Sequence, residues 1–290
     1  MAAQIAAVRA ARPRRLYVAV DGPRADREGE AEKCAAVREC VKAVDWPCEV
    51  KTLFRERNRG CRLGVSEAIT WFFENEPEGI VLEDDCRPQP EFFRFATEML
   101  ERYRDDERVG AVNGFNFFNL QSDRKASYHF SSHMDVWGWA SWRRVWRRYD
   151  VEMKPYLAEA EKTVAASGMT GYYRRITLGA IQNVAAGMNT WDVQFSLAFL
   201  AIRYLSVVPR ERLIVNAGLQ DDASTHTGGY LYHAKAFTTP GHLDFPLVHP
   251  ENVVCDEKAD RRRERKEGCL FTRALTYLGC RFPWMRRFLP

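Results

Sequence analysis

The stretch Gly79-Ile80-Val81-Leu82-Glu83-Asp84-Asp85-Cys86-Arg87-Pro88 constrains this chain more than any other. Ile80 to Leu82 is an aliphatic run that predicts a strand buried on both faces, and it stops at three consecutive carboxylates. Acids do not end a buried strand for the sake of packing. In open α/β sheets the ligand crevice lies outside the carboxyl ends of the strands, so Glu83, Asp84 and Asp85 are expected at the mouth of a cleft. Like charges so close repel until a cation neutralises them. Mg²⁺ and Mn²⁺ take one or two carboxylates together with phosphate oxygens and water. A metal joining the protein to a diphosphate is therefore the leading reading, and a solvated acidic turn is the alternative.

The segment GIVLEDDCRPQPEFFRF, followed by a helix and then RVGAVNGFN, resembles the GT-A glycosyltransferases. The likeness is to bacterial family members and to the eukaryotic N-acetylglucosaminyltransferase that initiates complex N-glycans, and it runs from Ala10 to His226. It implies an α/β chain with the GT-A-type nucleotide-diphospho-sugar transferase fold, a mixed and mostly parallel sheet with helices on both faces. It also implies a Mn²⁺ or Mg²⁺ ion held chiefly by Asp85 with Glu83, and donor contacts from Glu83 and Asp84. The family's domain normally opens with a further strand before its first helix, often ending in an Arg at the nucleotide. These residues begin at the helix, so the expectation is either a start at an internal methionine or a sheet one strand short with the donor one contact poorer.

Taken in order, residues 1–11 predict a short helix and Leu16 to Val20 a strand that stops at Asp21-Gly22-Pro23. Asp21 is a nucleotide contact by the resemblance and an Asx-turn residue by its local pattern. After a helix over residues 30–43 and a strand from Glu49, the loop Arg55 to Gly64 concentrates arginines and glycines ahead of a helix over Val65 to Asn75. Guanidinium groups and a helix amino terminus both suit phosphate, so Asn58 and Arg62 are candidates for the donor side. Pro90 to Arg104 carries Phe92, Phe95, Ala96, Met99 and Leu100 at helical spacing, which marks a core face.

In the second half, His129 to Trp142 gathers aromatics around one glycine. Aromatic faces stack on sugar rings, and the resemblance supports a sugar-facing loop at Trp137, Gly138 and Trp139; a Trp-rich core corner is the alternative. Residues 155–186 predict a peripheral helical insertion. Asn189-Thr190-Trp191-Asp192 then leads into an apolar helix. Asp192 fits a helix-cap position; in the resembled enzymes a Trp-Asp here carries the catalytic base, with Trp191 shaping the sugar pocket. Asp135, Asp221 and Asp222 are its rivals. His226, in a Thr-His-Thr segment, is expected to close the donor site as a phosphate or metal contact, whereas His233, His242 and His249 read as loop or surface residues.

Composition sets the bounds. The 290 residues are 46% hydrophobic, ample for a sizeable core, and the net charge of +4 gives no nucleic-acid-wide basic face. Eight cysteines without zinc-type spacing read as reduced thiols, which favours a cytoplasmic setting. No leader and no apolar run of membrane-spanning length stands out. The expected division is a catalytic domain over residues 1–255, with a nucleotide half 1–125 and an acceptor half 126–255, then a basic amphipathic tail 256–290. Such a tail can lie at the inner face of an anionic membrane or dock on its own domain.

The sequence expectation is thus a metal-dependent inverting glycosyltransferase that uses a nucleotide-sugar donor, a UDP-sugar by likeness. Its acceptor would be a glycan, a lipid-linked sugar or a protein, and nucleic acid is not expected as a partner. The other readings are a sugar-phosphate nucleotidyltransferase, whose Gly-rich phosphate loop is missing here, and an inactive glycan-binding or scaffold protein of the same fold.

Overall fold

The computed structural model describes residues 2–169, 171–219 and 239–268. Helix α1 (Ala2–Ala11) leads to strand β1 (Arg15–Val20), α2 (Glu30–Glu39) and β2 (Glu49–Phe54). Then come α3 (Gly60–Asn75), β3 (Glu78–Val81), β4 (Cys86–Pro88), α4 (Pro90–Arg102), β5 (Val109–Asn113), β6 (Tyr128–Ser131) and β7 (Trp139–Trp142). The second half is helical, with α5 (Arg143–Trp146), α6 (Ala160–Ala166), α7 (Gly171–Ala185) and α8 (Asp192–Ile202), before β8 (Leu205–Pro209), β9 (Ile214–Asn216) and α9 (Glu257–Gly268).

This is a mixed α/β architecture, but its strands are not mostly parallel. The central sheet has the order β3-β7-β5-β8-β6, flanked by the pairs β1-β2 and β4-β9. Among the described strands only β1–β2 and β5–β8 run parallel; β3–β7, β5–β7, β6–β8 and β4–β9 are antiparallel. The reason lies in the aromatic stretch 129–142, in which a sugar-facing loop was expected at Trp137, Gly138 and Trp139. It supplies β6 and β7, and both enter the sheet against their neighbours' direction.

Strand β3 lies at the sheet edge, with β7 on one side and no ladder on the other among the described strands. Its residues are half-buried, so the expectation of a strand covered on both faces fails, while β5 at the centre is buried throughout. β1 and β3 share no ladder. They are joined instead through Glu76, which accepts a hydrogen bond from the Tyr17 hydroxyl at 2.8 Å and pairs with Arg15 at 2.8 Å. Helix α1 packs Ile5 and Val8 on Trp46 and leans on Leu16 and Leu82, fixing β1 relative to the end of β3.

The main core draws on both halves of the chain, so halves divided at residue 125 are not separate packing units. Phe92, Phe95, Ala96 and Met99 from α4 meet Tyr128, Trp139 and Phe195 in one cluster. A second cluster of Met153, Val164, Ile181, Val184 and Leu197 ties α6 and α7 to α8, which gives the start of α8 a rigid seat. Nor does packing break at residue 255. Ala259, Asp260 and Glu264 of α9 are buried, and Arg263 forms a double hydrogen bond to the buried Asp135 carboxylate at 2.7 and 2.8 Å. Residues 269–290 lie outside the described residues. Among the described residues no helix is long and apolar enough to cross a membrane.

Candidate active site

The acidic triplet occupies the turn between β3 and β4. The Cys86 amide donates to the Glu83 carbonyl at 3.1 Å, which closes the turn. Gln4 of α1, itself buried, donates to the carbonyls of Cys86 at 2.9 Å and Glu83 at 3.4 Å, and Arg87 donates to the Asp84 carbonyl at 2.7 Å. The backbone is thus held from beneath while Asp84 stays exposed and Glu83 and Asp85 are half-buried.

Strand β9 brings a second wall. It pairs with β4 so that Cys86 faces Asn216, and the Ala217 amide donates to the Asp85 carbonyl at 2.8 Å. A Cβ on Gly218 would lie 2.8 Å from Asp85 Oδ2, so any side chain there would displace the Asp85 carboxylate. The buried amide nitrogen of Asn216 has no protein acceptor within hydrogen-bond distance, yet the side chain lies close enough to Asp85 to lower its pKa. Burial and the Asp84 charge outweigh that effect and hold the Asp85 carboxyl above the usual range.

Helix α8 supplies the third wall and joins Asp192 to the triplet. Burial pushes the Glu83 carboxyl up to about 8, and the negative charges of Asp85, Asp192 and Asp84 add to the shift, while a hydrogen-bonding contact from Trp191 opposes it. Cys61 in the first turn of α3 lies in the same field. Burial first, then the charges of Glu83 and Asp192, pushes its thiol up to about 11, so it is a neutral neighbour. Tyr149 borders Asp192 as well; burial holds its hydroxyl up to about 12. The Thr190 hydroxyl donates to Asp192 Oδ1.

Several expected contacts are spent on the protein itself. The Asp21 carboxylate accepts the amides of Gly22 at 2.9 Å, Arg59 at 3.0 Å and Gly60 at 3.2 Å, so it ties the end of β1 to the start of α3. Asn58 bridges the Gly22 carbonyl and the Gly60 amide at 3.1 Å each. The Arg62 amide is taken by Asn189 Oδ1 at 2.8 Å, and its guanidinium by Val151 and Glu152. At the amino terminus of α3, expected to receive phosphate, the Gly60 and Arg62 amides are therefore taken by Asp21, Asn58 and Asn189.

The tryptophans divide in the same way. Trp139 is fully buried, stacked on Trp191 at 6.0 Å and tilted against Phe195 at 5.3 Å, so the core-corner reading replaces the sugar-facing one. Trp191 is also buried, and it meets the site at Glu83 and at Cys61. Gly138 has a φ of 69°, and a Cβ there would lie 2.7 Å from Ile214; its close approach is to β9 and not to a sugar. Trp137 packs in an aromatic cluster with Phe115 and Phe117. His226, Asp221, Asp222 and His233 lie outside the described residues.

In sequence Asn189 and Thr190 read only as a lead-in to α8, Cys61 only as part of the arginine-rich loop, and Asn216 only as the end of an element before a glycine turn. Each reaches the site through contacts distant in sequence. The chain matches no protein-family model, and a search of the curated proteins returns no match.

The donor set suits a hard divalent ion in kind: carboxylate oxygens, with the carboxyls of Glu83 and Asp85 raised first by burial and then by the neighbouring negative charges. Among the described residues no three His, Cys, Asp or Glu side chains converge as a metal cage. An ion of the Mg²⁺ type needs none, since it is held by one or two carboxylates with phosphate and water completing its shell.

Proposed function

We propose that this chain is a metal-dependent inverting glycosyltransferase, moving a sugar from a nucleoside diphosphate donor, a UDP-sugar, to an acceptor hydroxyl. The observation that carries the reading is the seating of the start of α8 beside the triplet: Asn189 accepts the Arg62 amide at 2.8 Å, Trp191 meets Glu83, and the Asp192 charge adds to the rise of the Glu83 carboxyl. The rival Asp135 is paired with Arg263, which leaves Asp192 as the described carboxylate fit for proton transfer.

In this reading Asp85, with Glu83 and Asp84, would hold a Mn²⁺ or Mg²⁺ ion that, when bound, offsets the charge of the leaving diphosphate. Asp192 takes the acceptor proton while the hydroxyl oxygen forms its bond to the anomeric carbon and the bond to the diphosphate oxygen breaks. Displacement from the side opposite the leaving group inverts the centre. Asp21 and Asn58 act by shaping the loop before α3, and Arg62 and Asn189 by fastening that loop to the α8 side.

Calorimetry with UDP tests the donor side. Binding is expected in Mn²⁺ and weak in chelator, and Asp85→Asn is expected to remove the difference. Equal affinity for UDP with and without metal in the wild-type protein would take the triplet out of the site.

A further inference from the structure

We infer that Thr190 is a positioning residue that presents the Asp192 carboxylate to the acceptor, an inference that rests on reading Asp192 as the general base. A carboxylate in the first turn of a helix ordinarily turns back to cap backbone amides and adopts more than one rotamer. Here its Oδ1 receives the Thr190 hydroxyl, leaving Oδ2 for the acceptor proton. Holding one oxygen while freeing the other is what a base aimed at a single hydroxyl requires.

The main chain of Thr190 is held from independent directions. The Thr190 amide donates to the Met188 carbonyl at 3.1 Å. Its carbonyl accepts from Gln194 Nε2 at 2.6 Å, and Gln194 is fully buried. Its neighbour Asn189 accepts the Arg62 amide at 2.8 Å, which bolts the segment to α3. Thr190 is only 8% exposed, so little room remains for its side chain to turn away. None of these anchors uses the Asp192 carboxylate, so the residue that carries the hydroxyl is placed before a substrate arrives. A hydroxyl needed only for local helix initiation would bond a backbone group, as Ser and Thr do in turns and caps.

The test compares Thr190→Val, Thr190→Ser and Thr190→Ala with Asp192→Asn, using Mn²⁺, a panel of nucleoside diphosphate sugars and hydroxyl acceptors. UDP affinity and melting temperature are measured on the same preparations. Thr190→Val is expected to lower kcat about ten- to a hundredfold, the worth of a hydrogen bond to a charged group, with the donor KM and UDP affinity unchanged. Thr190→Ser is expected to stay near the wild-type rate. If valine unfolds the chain, the Ser and Ala variants make the same comparison, since they differ by the hydroxyl alone; equal rates for those two overturn the inference. A wild-type rate in Thr190→Val beside a dead Asp192→Asn overturns the inference and leaves the base in place. Full activity in Asp192→Asn, or no turnover of any donor by the wild-type protein, overturns the base reading and the inference with it.

Discussion

Replacing Glu83 by glutamine should make the protein more stable at alkaline pH and flatten its stability across the neutral range. The carboxyl is pushed from 4.5 up to about 8, first by burial and then by the charges of Asp85, Asp192 and Asp84. The unfolded chain sheds this proton near 4.5, whereas the folded chain keeps it until about 8. The stability it contributes is fully present below the lower value and is lost as pH rises through the upper one. At 1.36 kcal/mol per pKa unit the interval corresponds to a ceiling of about 5 kcal/mol, and relaxation and water entry bring it to a few kcal/mol. Urea unfolding at pH 5 and pH 8.5 reads the difference directly. The wild type is expected to lose stability between the two, and Glu83→Gln to lose much less. Parallel losses in both proteins would mean that Glu83 does not carry the buried proton.

Two further outcomes follow from other parts of the molecule. Asp135→Ala leaves the Arg263 guanidinium with Glu267 as its remaining carboxylate in a nearly closed site, where the side chains of the broken pair are 7% and 13% exposed; a loss of about 2 kcal/mol in denaturant unfolding is expected, and a change under about 0.5 kcal/mol would show that α9 does not depend on the pair. Deleting residues 269–290 is expected to leave turnover on a soluble acceptor nearly unchanged and to reduce binding to anionic vesicles, while loss of soluble expression would assign the segment to folding instead.

What could be read in advance was whatever depends on local pattern. The spacing of Phe92, Phe95, Ala96 and Met99 marked the buried face of α4, and the change from aliphatic to acidic residues marked where β3 ends. Asp192 at the first turn of α8 was legible for the same reason. The misses all involve partners distant in the chain. Trp139 looks available in sequence because its stacking partner Trp191 arrives from another element. Asp21 and Arg62 carry the right charges for a nucleotide, yet their bonds go to Arg59, Gly60 and Glu152. Helix α9 reads as the start of a basic amphipathic tail that lies on a membrane or docks on its own domain, and only the fold shows the docking and Arg263 reaching Asp135 across 128 residues. Likewise the aromatic stretch 129–142 becomes two strands because β3, β5 and β8 offer edges to pair with.

The central claim is that Asp192 and the triplet form one active site, and the measurement that tests it most directly is Asp192→Asn with UDP binding and sugar transfer followed side by side in Mn²⁺. Removal of a general base lowers rate by roughly a hundred- to ten-thousandfold while leaving the donor site intact. The account predicts that loss of turnover, with UDP affinity and folding preserved. A variant that still transfers sugar at close to the wild-type rate, or one that loses its fold together with its activity, would contradict it and leave Asp192 as the residue that begins α8.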